Sequence, residues 1–255
     1  MYLAYILVGL GVGILAGFMG IGGGLVLVPA LVYVLHLSQL TAQGTSLFMT
    51  LPPLGLGALL IYWKKGHVDL NAGIAIALGF FLGGFLGSKM ALVLPAKILL
   101  QSFGLFLIVS AALLWRKGEP RTSRVAGHAM NSKLRLFLIL VMACFVGVAG
   151  GLFGVGGGVL LVPLLVVLFG FEQHRAQGTS LVALVPPTGL LAFINYARAG
   201  QVSWTGGLLI MPGIFFGAVA GSRMAEKLSS KELRRMVAVL VFLLGVWEVI
   251  SPWLK

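Results

Sequence analysis

Charge is what this chain has least of. Only 9% of its 255 residues are Asp, Glu, Lys or Arg, and 59% are hydrophobic; a soluble domain carries roughly 25% charged residues. A water-facing surface cannot be built from that composition. With a mean hydropathy of +1.07 and apolar runs of spanning length, the bilayer is the solvent. A cytosolic enzyme, a secreted disulfide scaffold and a nucleic-acid binder are excluded. Acidic residues are scarcer still: Asp69, Glu119, Glu172, Glu226, Glu232 and Glu248 are all there are. Only Glu248 lies well inside an apolar run, so a carboxylate proton relay or a multivalent cation site has almost nothing to draw on. Cys144 is alone, which rules out an internal disulfide. His36, His67, His128 and His174 lack metal-ligand spacing, and no Ser/His/Asp or Cys/His grouping suggests a nucleophile. No metal, no cofactor and no enzymatic activity are expected.

What is abundant is Lys and Arg relative to acid, giving a net charge of +12, and glycine, with 37 residues. The 18 basic residues sit almost entirely in short connections between apolar runs, where they orient the chain against the membrane before they say anything about ligands. Residues 1–19 are apolar but lack a basic n-region and a clear cleavage site, and are read as retained.

Compared with itself at a shift of 134 residues, the sequence matches over about a hundred positions without a gap. Gly22-Gly23-Gly24 meets Gly156-Gly157-Gly158, and Pro29 meets Pro163. Ala42-Gln43-Gly44-Thr45-Ser46 meets Ala176-Gln177-Gly178-Thr179-Ser180, and Pro52-Pro53 meets Pro186-Pro187. Tyr62, Gly66, Val68, Gly83, Gly87, Ser88 and Met90 find Tyr196, Gly200, Val202, Gly217, Gly221, Ser222 and Met224. This is a tandem duplication: a first transmembrane repeat over 1–115, a basic cytoplasmic linker over 116–135 and a second repeat over 136–255. The expected fold is an all-α polytopic membrane protein. Each repeat has about five hydrophobic segments, near 2–19, 22–37, 41–62, 70–93 and 98–115, then 136–153, 156–171, 176–197, 204–226 and 236–251. The second segment of each is too short for a ~30 Å hydrocarbon core, and the third is interrupted by its proline pair. Short and broken segments at equivalent places in two halves mark discontinuous or re-entrant helices around a midplane site.

The positive-inside rule places the linker, with six basic residues, in the cytoplasm. An odd number of crossings per repeat leaves 14 basic residues inside and 4 outside; an even number leaves 10 and 8. The odd count, and with it an inverted pseudo-twofold arrangement, is expected.

Two motifs can carry chemistry. The glycine clusters Gly22-Gly23-Gly24 and Gly156-Gly157-Gly158 can turn several backbone N–H groups toward one point ahead of a helix, a cradle for a sulfate-like anion; the plainer alternative is a tight turn or close helix packing. Gln43, Gly44, Thr45 and Ser46, with Gln177, Gly178, Thr179 and Ser180, bring neutral donors into apolar segments. If they head half-helices they can hold an oxyanion without a buried cation; alternatively they cap helices and bond carbonyls. Pro52, Pro53, Pro186 and Pro187 are hinge candidates or static kinks. Tyr62 and Tyr196 are expected as interfacial anchors. Asn195 stands where the first repeat has Ile61, so its role is not symmetric. Gly79, Gly83 and Gly87, like Gly213, Gly217 and Gly221, line one helix face and are expected to pack against another backbone.

The ordered and duplicated set, from the glycine cluster with Val28-Pro29 through Ala42–Ser46 and Gly66-His67-Val68-Asp69 to Gly83–Lys89, resembles the sulfite exporter TauE/SafE family, also called the toluene sulfonate uptake permease family. The resemblance covers nearly the whole chain. It implies a multi-pass permease of the bacterial or archaeal inner membrane, moving anions such as sulfite, sulfonates or sulfoacetate. It also implies seven or eight spans in two repeats of about four, which differs from the odd count favoured by charge. The family's Gly-Thr-Ser residues correspond to Gly44, Thr45, Ser46, Gly178, Thr179 and Ser180. An exporter working by alternating access is expected, with a channel-like or accessory component, or a permease for another organic anion, as alternatives. Its partners are a small anion and the lipid bilayer, with no nucleic acid; association as a homodimer is left open. In a Cys144→Ser background, a cysteine at Arg198 should label with an impermeant maleimide from outside, while one at Lys64 should be protected.

Overall fold

The computed structural model describes residues 2–19, 24–51, 56–115, 131–156, 158–184, 189–225 and 230–253. The proposed hinges Pro52, Pro53, Pro186 and Pro187, the glycines Gly22, Gly23 and Gly157, and residues 116–130 of the expected linker lie outside them. Among the described residues every regular element is helical. The order is α1 (Tyr2–Met19), α2 (Gly24–Tyr33), α3 (Gln39–Thr50), α4 (Leu56–Lys64), α5 (Leu70–Val93), α6 (Ala96–Trp115), α7 (Ser132–Phe153), α8 (Gly158–Phe169), α9 (Gln173–Leu184), α10 (Leu190–Arg198), α11 (Trp204–Ala225) and α12 (Ser230–Ile250), then a 3-10 turn over Ser251–Trp253. Among the described residues, four stretches are long and apolar enough to cross a membrane: Leu70–Val93, Ala96–Leu113, Ser132–Phe153 and Trp204–Gly221.

Local chemistry sets the boundaries. Asp69 caps α5 by accepting the Ala72 N–H at 3.1 Å. Ser38 accepts the Thr41 N–H at 3.1 Å, which starts α3 at Gln39, two residues earlier than hydropathy suggests. Asn131 likewise caps α7, so residues 132–135 of the expected linker are helical. The third segment of each expected set is two helices rather than one: α3 and α4 in the first, α9 and α10 in the second.

Glycine decides which helices pair. A Cβ on Gly9 or Gly13 would stand 2.5 Å from the carbonyl oxygen of Ile210 or Ile214. Gly213 and Gly217 return the contact against Ile6–Leu10 and Leu10–Ile14, so α1 and α11 run parallel, backbone on backbone. The same holds for α5 on α7, where Gly79, Gly83 and Gly87 meet Leu140–Cys144, Cys144–Val148 and Val148–Leu152 in turn. In contrast, α6 and α12 are antiparallel: Lys97 lies over the Trp253 ring, Gly104 faces Gly245, and Arg235 lies over Trp115. Lipid tails are as apolar as Leu, so close packing rather than water exclusion holds such pairs together. The opposite faces follow suit. On α5, Ala72, Ala75 and Gly83 are buried while Leu78, Leu82 and Leu86 are exposed, the pattern of a helix with small residues inward and Leu toward acyl chains.

A matched pair of substitutions tests this packing. On Gly83 a methyl would fall on the Cys144 carbonyl, whereas Gly11 has nothing within 4 Å. Gly83→Ala should destabilise the detergent-purified protein by about 1–3 kcal/mol, and Gly11→Ala should be neutral or stabilising by up to ~1 kcal/mol, read as melting temperatures by intrinsic fluorescence.

Candidate anion site at the glycine turns

Helix α7 ends because Gly154 takes the left-handed conformation (φ 69°), its N–H bonding the Gly150 carbonyl. Gly156 is also left-handed (φ 60°), and α8 begins two residues later. The start of α2 is pressed against this turn: a Cβ on Gly24 would be 2.5 Å from the Val155 carbonyl oxygen. Two helices, one from each half of the chain, thus begin within a few residues of one contact. Their first N–H groups have no intrahelical acceptor, and their dipoles favour negative charge there.

Helix α3 brings its polar residues to the same turn. The Ser46 hydroxyl donates to the Gly154 carbonyl at 2.7 Å, a Cβ on Gly154 would sit 2.6 Å from the Gln43 Cα, and one on Gly156 would be 3.9 Å from the Thr50 methyl. Gln43 is fully buried, and its Oε1 accepts from the Tyr196 hydroxyl at 3.1 Å; that hydroxyl also lies 3.0 Å from the Gly151 carbonyl oxygen. Thr45 donates to the Thr41 carbonyl at 2.6 Å and accepts the Ser203 N–H at 2.9 Å. Its hydroxyl is fully engaged in pinning α3 to the loop ahead of α11. Gly44 is the residue that lets the Gln201 carbonyl and Tyr196 come this close.

At positions 134 residues away the bonds recur with the halves exchanged. Tyr62 donates to Gln177 Oε1 at 2.9 Å, the Asp69 N–H donates to Thr179 Oγ1 at 3.0 Å, and Gly178 sits against the His67 carbonyl and Tyr62. Ser180 departs from the pattern by bonding the Gln177 carbonyl of its own helix at 2.8 Å. An ion pair, Arg175 to Asp69 at 3.1 Å, ties α9 to the start of α5. The structure therefore joins Gln43 and Ser46 to Gly154 and Gly156, and Gly24 to Val155. Among the described residues, Gln177, Gly178 and Thr179 meet Tyr62 of α4 and the connection between α4 and α5. The Gln-Gly-Thr-Ser runs lie inside α3 and α9 rather than at their heads, which fall at Gln39 and Gln173. The half-helices that begin at the turn are α2 and α8.

Four side chains have roles that composition did not reveal. Tyr196 is no interfacial anchor: it is completely buried and holds Gln43, and Tyr62 holds Gln177. Their recurrence at the 134-residue shift was the available signal. Asn195 donates to Ser88 Oγ at 2.8 Å, joining α10 to α5. Glu248 is buried and accepts from Tyr33 at 2.9 Å, tying α12 to the end of α2. A groove of about 500 Å³ lies elsewhere, lined by Leu138, Met142, Phe145, Leu164 and Leu168 of α7 and α8; its apolar walls suit an acyl chain and not an anion.

Removing the phenol should expose what it holds. Tyr196→Phe leaves the Gln43 Oε1 without its donor in a dry interior, and the melting temperature should fall by the equivalent of about 1–3 kcal/mol.

The sequence pattern of the sulfite exporter TauE/SafE family matches residues 5–247. A probable membrane transporter protein of Xylella fastidiosa (strain Temecula1 / ATCC 700964) is 32% identical over 246 residues, covering 95% of this chain and 92% of that one. The probable membrane transporter protein YunE of Bacillus subtilis (strain 168) is 27% identical over 263 residues, 96% of each chain. A third, MJ0441 of Methanocaldococcus jannaschii, is 26% identical over 260 residues, 96% of this chain and 94% of its own. No solved structure gives a significant match. With coverage this complete and a membrane-spanning helical fold, the chain belongs to the sulfite exporter TauE/SafE family of membrane transporters.

Proposed function

We propose that this protein is a multi-pass inner-membrane secondary transporter, working as an exporter, for small sulfur-containing anions such as sulfite, sulfonate or sulfoacetate. The observation that carries the reading is the exchange of partners between halves: Tyr196 holds Gln43, Tyr62 holds Gln177, and Gly24 at the start of α2 meets Val155. A solute seated at that contact touches both halves at once, which is what a site for alternating access requires.

Helix directions support an inverted pair of repeats. With α1 parallel to α11, α5 parallel to α7 and α6 antiparallel to α12, and with α5–α6 and α11–α12 separated by two and four residues, α1 opposes α7, α5 opposes α11 and α6 opposes α12. This agrees with the odd number of crossings favoured by charge.

In the proposed site the backbone donors come from Gly22, Gly23 and Gly24 with Gly156, Gly157 and Gly158, and the side-chain amides from Gln43 and Gln177. Gly44, Thr45, Ser46, Gly178, Thr179 and Ser180 hold those amides in place and complete the polar wall. Pro52, Pro53, Pro186 and Pro187 serve as the hinges. Uncharged donors bind an anion without a lysine or arginine that would retain it, and so leave it free to depart.

The test is a thermal-shift screen of sulfite, thiosulfate, sulfate, sulfonates and carboxylates on purified protein, followed by counterflow in proteoliposomes. At least one sulfur oxyanion should raise the melting temperature by mass action and show saturable counterflow, and Gln43→Leu with Gln177→Leu should abolish flux while the protein still inserts. Non-saturable flux with no stabilising anion would return the alternative, a channel-like or accessory component.

A further inference from the structure

We propose that Gln39 is a specificity-determining residue of the anion site, and that with Gln43 it selects oxyanions that carry a hydroxyl group. The inference rests on the function proposed above and deepens it. Gln39 is only 6% exposed and Gln43 is fully buried. Both Nε2 and Oε1 of Gln39, and Nε2 of Gln43, are buried with no hydrogen-bond partner among the described residues. An amide buried unpaired forfeits its hydration without recompense, and native interiors seldom tolerate it. Three such atoms on two neighbouring side chains point to a polar guest.

Position and chemistry narrow the guest. Residues 39, 43, 46 and 50 follow helical spacing and share one face of α3. That face runs from the capped start of the helix to Gly154 and Gly156, which Ser46 and Thr50 touch. Each free Nε2 offers two N–H donors, so donors outnumber acceptors and an oxyanion is favoured. The Gln39 Oε1 is the exception. A fully deprotonated oxyanion would leave this acceptor facing negative charge, while an anion with an O–H would pair with it and with the amide donors together. In the second half Gln173 precedes Gln177 as Gln39 precedes Gln43, so the same couple of amides is encoded twice.

Two sulfonates that differ by one hydroxyl provide the test: 2-hydroxyethanesulfonate and ethanesulfonate, titrated against the purified full chain by thermal shift and calorimetry. A site built to pair with a hydroxyl discriminates against the analogue lacking it, because its own polar group is then stranded. The wild type should bind the hydroxylated sulfonate at least about tenfold more tightly, equivalent to ~1.4 kcal/mol. Gln39→Leu should bring the ratio close to one, since ethanesulfonate loses only the Gln39 Nε2 donors while the hydroxylated sulfonate loses the hydroxyl pairing as well, and the nearly isosteric Gln39→Met should do the same if Leu impairs folding. Equal affinities in the wild type, or a preference that survives in the variants, overturns the role of Gln39. If sulfite binds and neither sulfonate does, the hydroxyl selection falls and the transporter reading stands. If no anion in either screen binds, both fall.

Discussion

A hydrocarbon interior offers no water to an interrupted helix, so every peptide group released by a break must find a partner inside the protein. The architecture answers that constraint by exchange. Helices α3 and α9 are each secured by the connection that follows a half-helix of the other half. The Ser203 N–H bonds Thr45, the Asp69 N–H bonds Thr179, and the two tyrosines take the two glutamine amides. Thr45, Thr179, Tyr62 and Tyr196 are thus the fasteners that hold α3 and α9 to the other half of the chain.

The fasteners work only because the long helices approach closely enough to bring the connections into register. Gly9, Gly13, Gly213 and Gly217 allow α1 and α11 to meet at their backbones, and Gly79, Gly83 and Gly87 do so for α5 and α7. Larger residues at those positions would separate the helices and carry Ser203 and Asp69, which lead into α11 and α5, away from the threonines they bond. Helix packing and the polar centre are therefore one structural system, with backbone contact setting the distance over which hydroxyls and amides can reach.

Much of this was legible in the amino-acid order. The 134-residue shift, the proline-interrupted third segments and the glycine ridges identified the broken helices and the faces that pack. The glycine clusters marked the helix starts that meet at Gly24 and Val155. What could not be read was pairing across the halves. Tyr196 looks the same in sequence whether it anchors at an interface or reaches Gln43, because hydropathy and spacing describe a segment and not its neighbour. For the same reason the Gln-Gly-Thr-Ser runs could be taken as helix heads, when the polar side chain that starts α3 is Ser38. Gln39 passed unnoticed because one Gln at the edge of an apolar run carries no signal until its burial and its lack of partners are known.

The parallel contact of α1 with α11 bears on how the chain is made. Ile6 and Gly9 leave the ribosome about two hundred residues before the Gly213 they pack against. Throughout that interval α1 must reside in lipid without its mate, its glycine-bearing face open to acyl chains or to whatever insertion factor attends it. This contact is thus obligatorily late, made only once α11 has entered the bilayer.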